Sequence, residues 1–325
     1  MKRMMTLGVV ACVMLVSACG QDAAGGTPDD PEPLTVALPA PNAIYWAIYA
    51  GIEHGWFEEE GFEAEVVSAQ GSAGALQQVA SDSAQIAGGT PDAVVNAVAG
   101  GSDIDMLSVA LNESALTLIG QPEVTDYSDL EGQTIGVSAI AGGEIGLLQL
   151  LLEQNGLDED DYDVVVSGTT PSKVSALESN SVAAAVLFSP ADFTLEGDGY
   201  NRLGSTIDVP IASQMPLAAY SVRESWLAEG DRSERLQRAL ETANDWLRDP
   251  ANKEDAISVF VDAADAPEED VRATYELWFE ENDLWPEGPG LVTEDHVAAT
   301  LEMMDANDEL DDGRPEISEL FVGSD

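Results

Sequence analysis

The alternation of short apolar runs with Gly- and Pro-rich turns between residues 34 and 92 leaves this chain few folds to choose from. Leu34–Leu38 reads Leu-Thr-Val-Ala-Leu, a strand. The loop Pro39-Ala40-Pro41-Asn42 follows, ending on a good N-cap residue, and then Ile44, Ile48 and Ile52 at helical spacing. Gly55 stops that helix, Trp56 and Phe57 look like core anchors, and Glu63–Val67 is again a strand. Gly71-Ser72 opens a second helix, with Ala75, Leu76, Val79 and Ala80 on one side. Ala84–Ala87 is a third strand, and Gly88-Gly89-Thr90-Pro91 opens a third helix. Strand, tight turn and helix in this order predict an α/β unit on a parallel sheet. In such sheets a ligand sits beyond the carboxyl ends of the strands, where helix N-termini point. The turns Pro39–Asn42, Ser68–Ser72 and Gly88–Pro91 are therefore expected on one rim, as half of a binding site.

The rhythm then repeats. Asp105–Leu111 is a strand and Ala115–Ile119 a second apolar run; polar Gln121–Asp129 marks a boundary. Gln133–Val137 is a strand, Ala141-Gly142-Gly143 a tight turn, and Glu144–Asn155 a helix stopped by Gly156, whose stripe of Leu147, Leu148, Leu151 and Leu152 is core. Asp163–Val166 and Val182–Phe188 are strands, followed by helices opened at Gly168-Thr169-Thr170-Pro171 and at Ser189-Pro190. Both Gly88–Pro91 and Gly168–Pro171 put a hydroxyl residue before a proline at the first helical position, where a missing N–H costs nothing. From about Ile207 the pattern changes. Pro216–Val222 reads as a strand returning to the first lobe, and helical patterns follow at Arg232–Leu247, Asn252–Ala264, Pro267–Glu281 and Thr293–Asp305. The expected division is lobe one from 34–122 and 208–325, and lobe two from 123–207. The two crossings between them would act as hinges.

At 325 residues the chain has room for two such units. Its 61 acidic residues against 12 basic ones give a net charge of −49, so nothing would neutralise the phosphates of a nucleic acid. The acids read as a solvated shell. With lysine confined to Lys2, Lys173 and Lys253, a high-salt habitat is a side hypothesis, and stability that falls as salt rises would count against it. At the N-terminus, Lys2 and Arg3 precede an apolar core, Leu7–Val16, too short to span a bilayer. Val16-Ser17-Ala18-Cys19 resembles a bacterial lipoprotein signal. That likeness implies a signal peptide over 1–19, lipidation of Cys19 as the first mature residue, and loss of Cys12, leaving no disulfide. Gly20–Pro33 reads as a flexible tether, and no later stretch is long and apolar enough to cross a membrane.

Candidate ligand contacts follow from the rim. First-turn side chains lean back toward a helix N-terminus, so Tyr45 and Trp46 would overhang the first rim as an aromatic platform. Gly71, Gly89 and Gly142 would let backbone N–H groups approach a ligand. Ser72, Thr90, Thr169, Thr170 and Ser189 offer hydroxyls, with helix capping as the competing role for Thr90, Thr170 and Ser189. Between Arg3 and Lys173 there is no lysine or arginine, so the first rim supplies no basic side chain to an anion. A neutral ring, or an amine met by Glu144 or Asp92, is favoured over an anion gripped by arginine forks. His54 and His296 stand alone and form no metal set. Ser189 lacks a nucleophile-elbow context, and no triad assembles around it.

Several stretches together carry a family resemblance. They are the first strand, Ala47–Gly55, Trp56-Phe57-Glu58-Glu59-Glu60-Gly61-Phe62-Glu63 and Ala75-Leu76-Gln77. Asp129-Leu130-Glu131-Gly132-Gln133-Thr134-Ile135-Gly136-Val137, Ala176-Leu177-Glu178 and Val182–Pro190 continue it. From Leu34 to Pro190 the chain resembles the nitrate/sulfonate/taurine and thiamine-precursor group of solute-binding lipoproteins. The resemblance implies an α/β chain with the type II periplasmic-binding-protein fold: two α/β lobes, a hinge and a central ligand cleft. It implies a monomer without cofactor or metal, lipid-anchored outside the cytoplasm, that delivers a small solute to the permease of an ATP-driven (ABC) importer. A pyrimidine-like or other aromatic heterocycle is the expected solute, with a sulfonate- or nitrate-type anion as the alternative. The related pyrimidine synthases use a lysine-bound cofactor and histidine chemistry that these residues do not reproduce. A metabolic enzyme of that type, or a sensory ectodomain, are the other readings to separate.

Overall fold

The computed structural model describes residues 26–140, 142–306, 309–310 and 315–322. The signal segment, Cys19 and its lipidation lie outside them.

The first lobe starts as the apolar alternation requires. β1 (Glu32–Leu38) leads through a 3-10 turn at Ala43–Tyr45 into α1 (Trp46–Glu53), α2 (Trp56–Glu59) and β2 (Phe62–Ser68). α3 (Gly71–Ala80), β3 (Ile86–Gly89), α4 (Pro91–Ala99) and β4 (Asp105–Leu111) follow. β5 (Thr117–Gly120), β6 (Thr134–Val137), α5 (Gly143–Gln154), β7 (Asp163–Val166), α6 (Thr170–Glu178), β8 (Ala184–Leu187), α7 (Ala191–Gly197) and β9 (Asn201–Ser205) build the second lobe. The chain then returns with β10 (Ala218–Val222), α8 (Glu224–Leu227), α9 (Arg232–Arg248), α10 (Lys253–Ala264), α11 (Glu268–Tyr275, continued by a π-helical turn Glu276–Glu281) and α12 (Glu294–Ala306).

Two five-stranded sheets result, in the orders β2-β1-β3-β10-β4 and β7-β6-β8-β5-β9. In both, the fourth position is taken by a strand that has just crossed from the other lobe. β4 ends at the cleft, so β5 starts there and runs away from it; β9 and β10 repeat this in the opposite direction. Each crossing strand is therefore antiparallel to both neighbours. The sheets are mixed, not parallel throughout as the strand–turn–helix rhythm suggested. The same geometry moves a boundary: Thr117–Gly120, expected in lobe one, pairs with β8 and β9 of lobe two.

The two crossings run side by side and are hydrogen-bonded to each other. Thr206 N–H donates to the Leu116 carbonyl at 2.9 Å, Leu116 N–H to Thr206 Oγ1 at 2.9 Å, and Leu217 N–H to the Leu111 carbonyl at 3.1 Å. Behind lobe one, α9 buries Leu236, Ala239, Leu240, Ala243 and Leu247 along a single helical face against α1 and α2. The tether is shorter than expected: Arg235 donates to the Gly26 carbonyl at 3.2 Å and pairs with Glu32, so the chain is docked from Gly26 onward. Among the described residues no helix is long and apolar enough to cross a membrane.

Candidate functional site

Between the sheets lies a cavity of about 1160 Å³ whose walls come from both lobes. The amino ends of α3 and α4 face it from lobe one, and those of α5 and α6 from lobe two. This is the arrangement that the turn positions predicted, with strands ending under helix N-termini. Asn42, Tyr45, Gly71, Ser72, Thr90, Glu144, Thr169 and Thr170 all line it.

Four predicted residues do not. Trp46 is fully buried: its Nε1–H donates to the Ala256 carbonyl at 2.9 Å and its ring packs on Phe260, Tyr275 and Phe279. Adjacent helical residues point about 100° apart, so only one of Tyr45 and Trp46 can face the rim. Gly89 lies under the α3 turn, where a Cβ would come within 3.1 Å of Ser72 Cβ, so it serves packing. Gly142, at φ +101°, stands behind the wall against Asp92. Ser189 is buried, and its carbonyl accepts the Ala43 N–H at 3.2 Å, a tie between the lobes. The hydroxyls of Thr90, Thr169, Thr170 and Ser189 are not used as helix caps. Thr169, not Thr170, holds the cap position of α6, Pro190 that of α7, and none of these positions carries a side-chain cap bond.

Tyr45 reaches the cavity by its edge alone. It is 3% exposed, lies 6.0 Å from Tyr220 between ring centroids, and fits because Gly88 has no Cβ, which would otherwise stand 2.6 Å from its ring. Burial, and then the neighbouring Tyr49, push its phenol well above the ordinary range. Beside it, Asn42 is 8% exposed and has its side-chain oxygen buried without a protein partner.

The β6–α5 part of the lobe-two wall is polar but internally satisfied. Glu144 accepts the Ser138 N–H at 2.6 Å and the Ser138 hydroxyl at 2.7 Å, and Lys173 Nζ reaches its Oε2 at 3.1 Å. Lys173 is fully buried, donates also to Ser138 Oγ at 2.9 Å, and lies 5.0 Å from the Phe188 ring centroid. Burial pushes its ammonium below the usual range, opposed by Glu144. Glu144 is thus already neutralised, which removes it as the free counter-ion of an amine. Asp92 crosses from lobe one to the amino end of α5, near the Gly143 amide and Glu309; burial raises its carboxyl despite the Thr90 and Gly143 hydrogen bonds. Glu309 accepts the Gly142 N–H at 2.7 Å.

Sequence reading missed Phe188, Ser138, Met215 and Leu217 in the lining. Phe188 and Ser138 each directly follow the last residue of a strand, so the strand-end rule would have found them. Met215 and Leu217 sit on the return crossing, where nothing local signals the cleft. The two histidines are structural: His54 stacks on Trp56, and His296 N–H donates to Thr293 Oγ1 at 3.3 Å. Among the described residues no cluster of three or more His, Cys, Asp or Glu could hold a metal.

Residues 42–251, most of both lobes, match the family described as NMT1/THI5 like. The chain belongs to the NMT1/THI5-like family. Solved structures similar to this member share its fold at low identity. An alkanesulfonate-binding protein from Xanthomonas axonopodis pv. citri, bound to MOPS, has a TM-score of 0.73 at 14% identity, covering 90% of this chain and 98% of its own. The periplasmic nitrate-binding protein of Synechocystis PCC 6803 has a TM-score of 0.73 at 12% identity, covering 90% and 86%. The ligand-binding component of an ABC-type import system from Staphylococcus aureus reaches 0.76 at 10% identity, covering 90% and 96%. No curated protein matches the sequence. The architecture is the type II periplasmic-binding fold, with two lobes, a hinge and a central cleft.

Proposed function

We infer that this NMT1/THI5-like protein captures a small solute outside the cytoplasm, closes its lobes on it, and hands it to the permease of an ATP-driven importer. The observation that carries this reading is the cavity itself. It is walled by both lobes and flanked by paired crossings, so a ligand that touches both walls favours the closed form by its extra contacts there. The favoured solute is a pyrimidine-like or other aromatic heterocycle. Tyr45, Phe188, Leu147 and Leu217 supply an apolar, partly aromatic lining, and Asn42 supplies one polar group in want of a partner. A sulfonate or nitrate, the ligands named for two structural relatives, would find no lysine or arginine in the lining. Lipidation of Cys19 would hold the protein, as a monomer, at the membrane face where the permease works.

A thermal-shift screen against neutral heterocycles and anions, with native mass spectrometry of the purified protein, tests the reading. A solute held at about a hundred times its Kd stabilises a binder by about 2.7 kcal/mol and is recovered unchanged. Turnover of the solute would move the protein to the enzyme class, and absence of any stabilising solute would overturn capture. Tyr45→Ala with undiminished affinity would remove the aromatic contact from the account. A permease encoded beside the gene separates importer from sensor.

A further inference from the structure

At the β6–α5 rim of lobe two, the Ser138 donors, the Lys173 ammonium and the Gly142 amide are held by the chain's own carboxylates. Ser138 N–H and its hydroxyl go to Glu144, as does the buried Lys173 ammonium. Gly142 N–H goes to Glu309, which stands after α12 in lobe one. Asp92, from the first turn of α4, lies so close to Gly142 that a Cβ there would be 2.5 Å from its Oδ2. At φ +101° Gly142 is also a position that L side chains avoid, so glycine is what admits that carboxylate. On the neighbouring α6, Pro171 removes a further amide donor.

We propose that Asp92, Glu144 and Glu309 are specificity-determining residues that occupy the places lobe two would offer a negative group, so that the cleft refuses anionic solutes. The proposal rests on the solute-capture reading and narrows it. Three carboxylates face one ammonium here, and each lysine and arginine among the described residues is already ion-paired. An anion at the amino end of α3 would meet on lobe two only neutral hydroxyls, those of Thr169, Thr170 and Ser172 on α6, with the β6–α5 donors already taken by carboxylates. It would therefore gain little from closure. The groups left wanting point to a donor-bearing solute: Asn42 Oδ1 in the lobe-one wall and Glu309 Oε2 at the rim are buried acceptors without partners.

The test uses ethanesulfonate and nitrate as probes on the full chain, by calorimetry and thermal shift at fixed ionic strength. The wild type is expected to give no saturable signal with either. Glu144→Gln removes the carboxylate charge that neutralises Lys173, and should gain ethanesulfonate binding on the order of ten-fold or more, the scale of a charge-assisted contact. Asp92→Asn/Glu309→Gln removes the negative charge at the α5 amides separately and should gain it too. This second variant decides the matter if Glu144→Gln fails to fold, as read by far-UV circular dichroism. Saturable anion binding by the wild type overturns the proposal and leaves solute capture standing. Folded variants that bind anions no better than the wild type overturn it as well. If no solute of any class binds the wild type while the variants gain anion binding, capture fails and the exclusion of anions stands.

Discussion

The two lobes share one strand plan but differ in what lies behind it and what faces the cleft. Lobe one packs its sheet against a large aromatic layer in which Trp46 meets Phe260 and Tyr275, Tyr275 meets Phe279, and Phe279 meets Trp285. Lobe two is aliphatic, built on Ile135, Val137 and the Leu147–Leu152 stripe, and all six tryptophans lie outside residues 117–205. At the cleft, lobe one leaves Asn42 unpaired, while lobe two closes its charged groups, Glu144 and Lys173, into a circuit with Ser138. On the proposed function, lobe one would read the solute through groups left open, and the Glu144–Lys173–Ser138 wall of lobe two would screen what can approach.

The largest effect tests the contrast in the cores. Trp46→Ala should cost about 3–5 kcal/mol, the range for truncating a fully buried tryptophan. The remaining tryptophans report lobe one only, and circular dichroism reports both lobes. A fluorescence transition in denaturant that precedes the dichroic one would sharpen the comparison; coincident transitions would mean that the lobes unfold as one body. Nearly as large is Lys173→Met, which leaves Glu144 without its cation in a site that is almost fully buried, at a cost of about 3 kcal/mol. Lys173→Met/Glu144→Gln should recover most of that loss. A single-variant cost under about 1 kcal/mol would break the claim that lobe two's wall is a closed circuit.

The contrast at the cleft predicts a smaller effect, on affinity. Asn42→Ala should weaken solute binding by about 1 kcal/mol, near five-fold, as one unpaired hydrogen-bonding group is removed. Thr170→Val, across the cleft, should change it by much less. Equal losses from the two would remove the distinction between a reading lobe and a screening lobe.

Much of this architecture was legible because strands and turns leave local marks. Asp105–Leu111 and Asp163–Val166 begin and end where their patterning puts them. β9 was not foreseen: Asn-Arg-Leu-Gly-Ser has no apolar alternation, and it is a half-buried edge strand defined by its partner β5. β5 itself was legible as an apolar run, but its lobe was not, since sheet membership depends on where the crossing chain lands. The rim turns could be placed because helix starts are local. The Glu144–Lys173 pair, Glu309 against Gly142 and the burial of Trp46 could not, since each joins segments that only the tertiary fold brings together.

The smallest effect lies at the far end of the lobe-one sheet, away from the cleft. Asp105, the first residue of β4, is half-buried, and burial, with Glu224 and Asp103 adding to it, raises its carboxyl from 3.8 to about 6. The folded state then holds this proton more tightly than the unfolded chain does. Stability from this group therefore falls as pH rises from about 4 to about 6, and is level beyond either limit. Asp105→Asn should raise stability at pH 7 by about 1 kcal/mol, after discounting the full shift for partial exposure, and leave it unchanged at pH 3.5. Denaturant midpoints at the two pH values check this, and solute affinity should not move. A gain of equal size at both pH values would mean that the substitution acts through packing instead of charge. An altered affinity would mean that the outer end of β4 communicates with the cleft, and the separation of a reading face from a structural back would have to be redrawn.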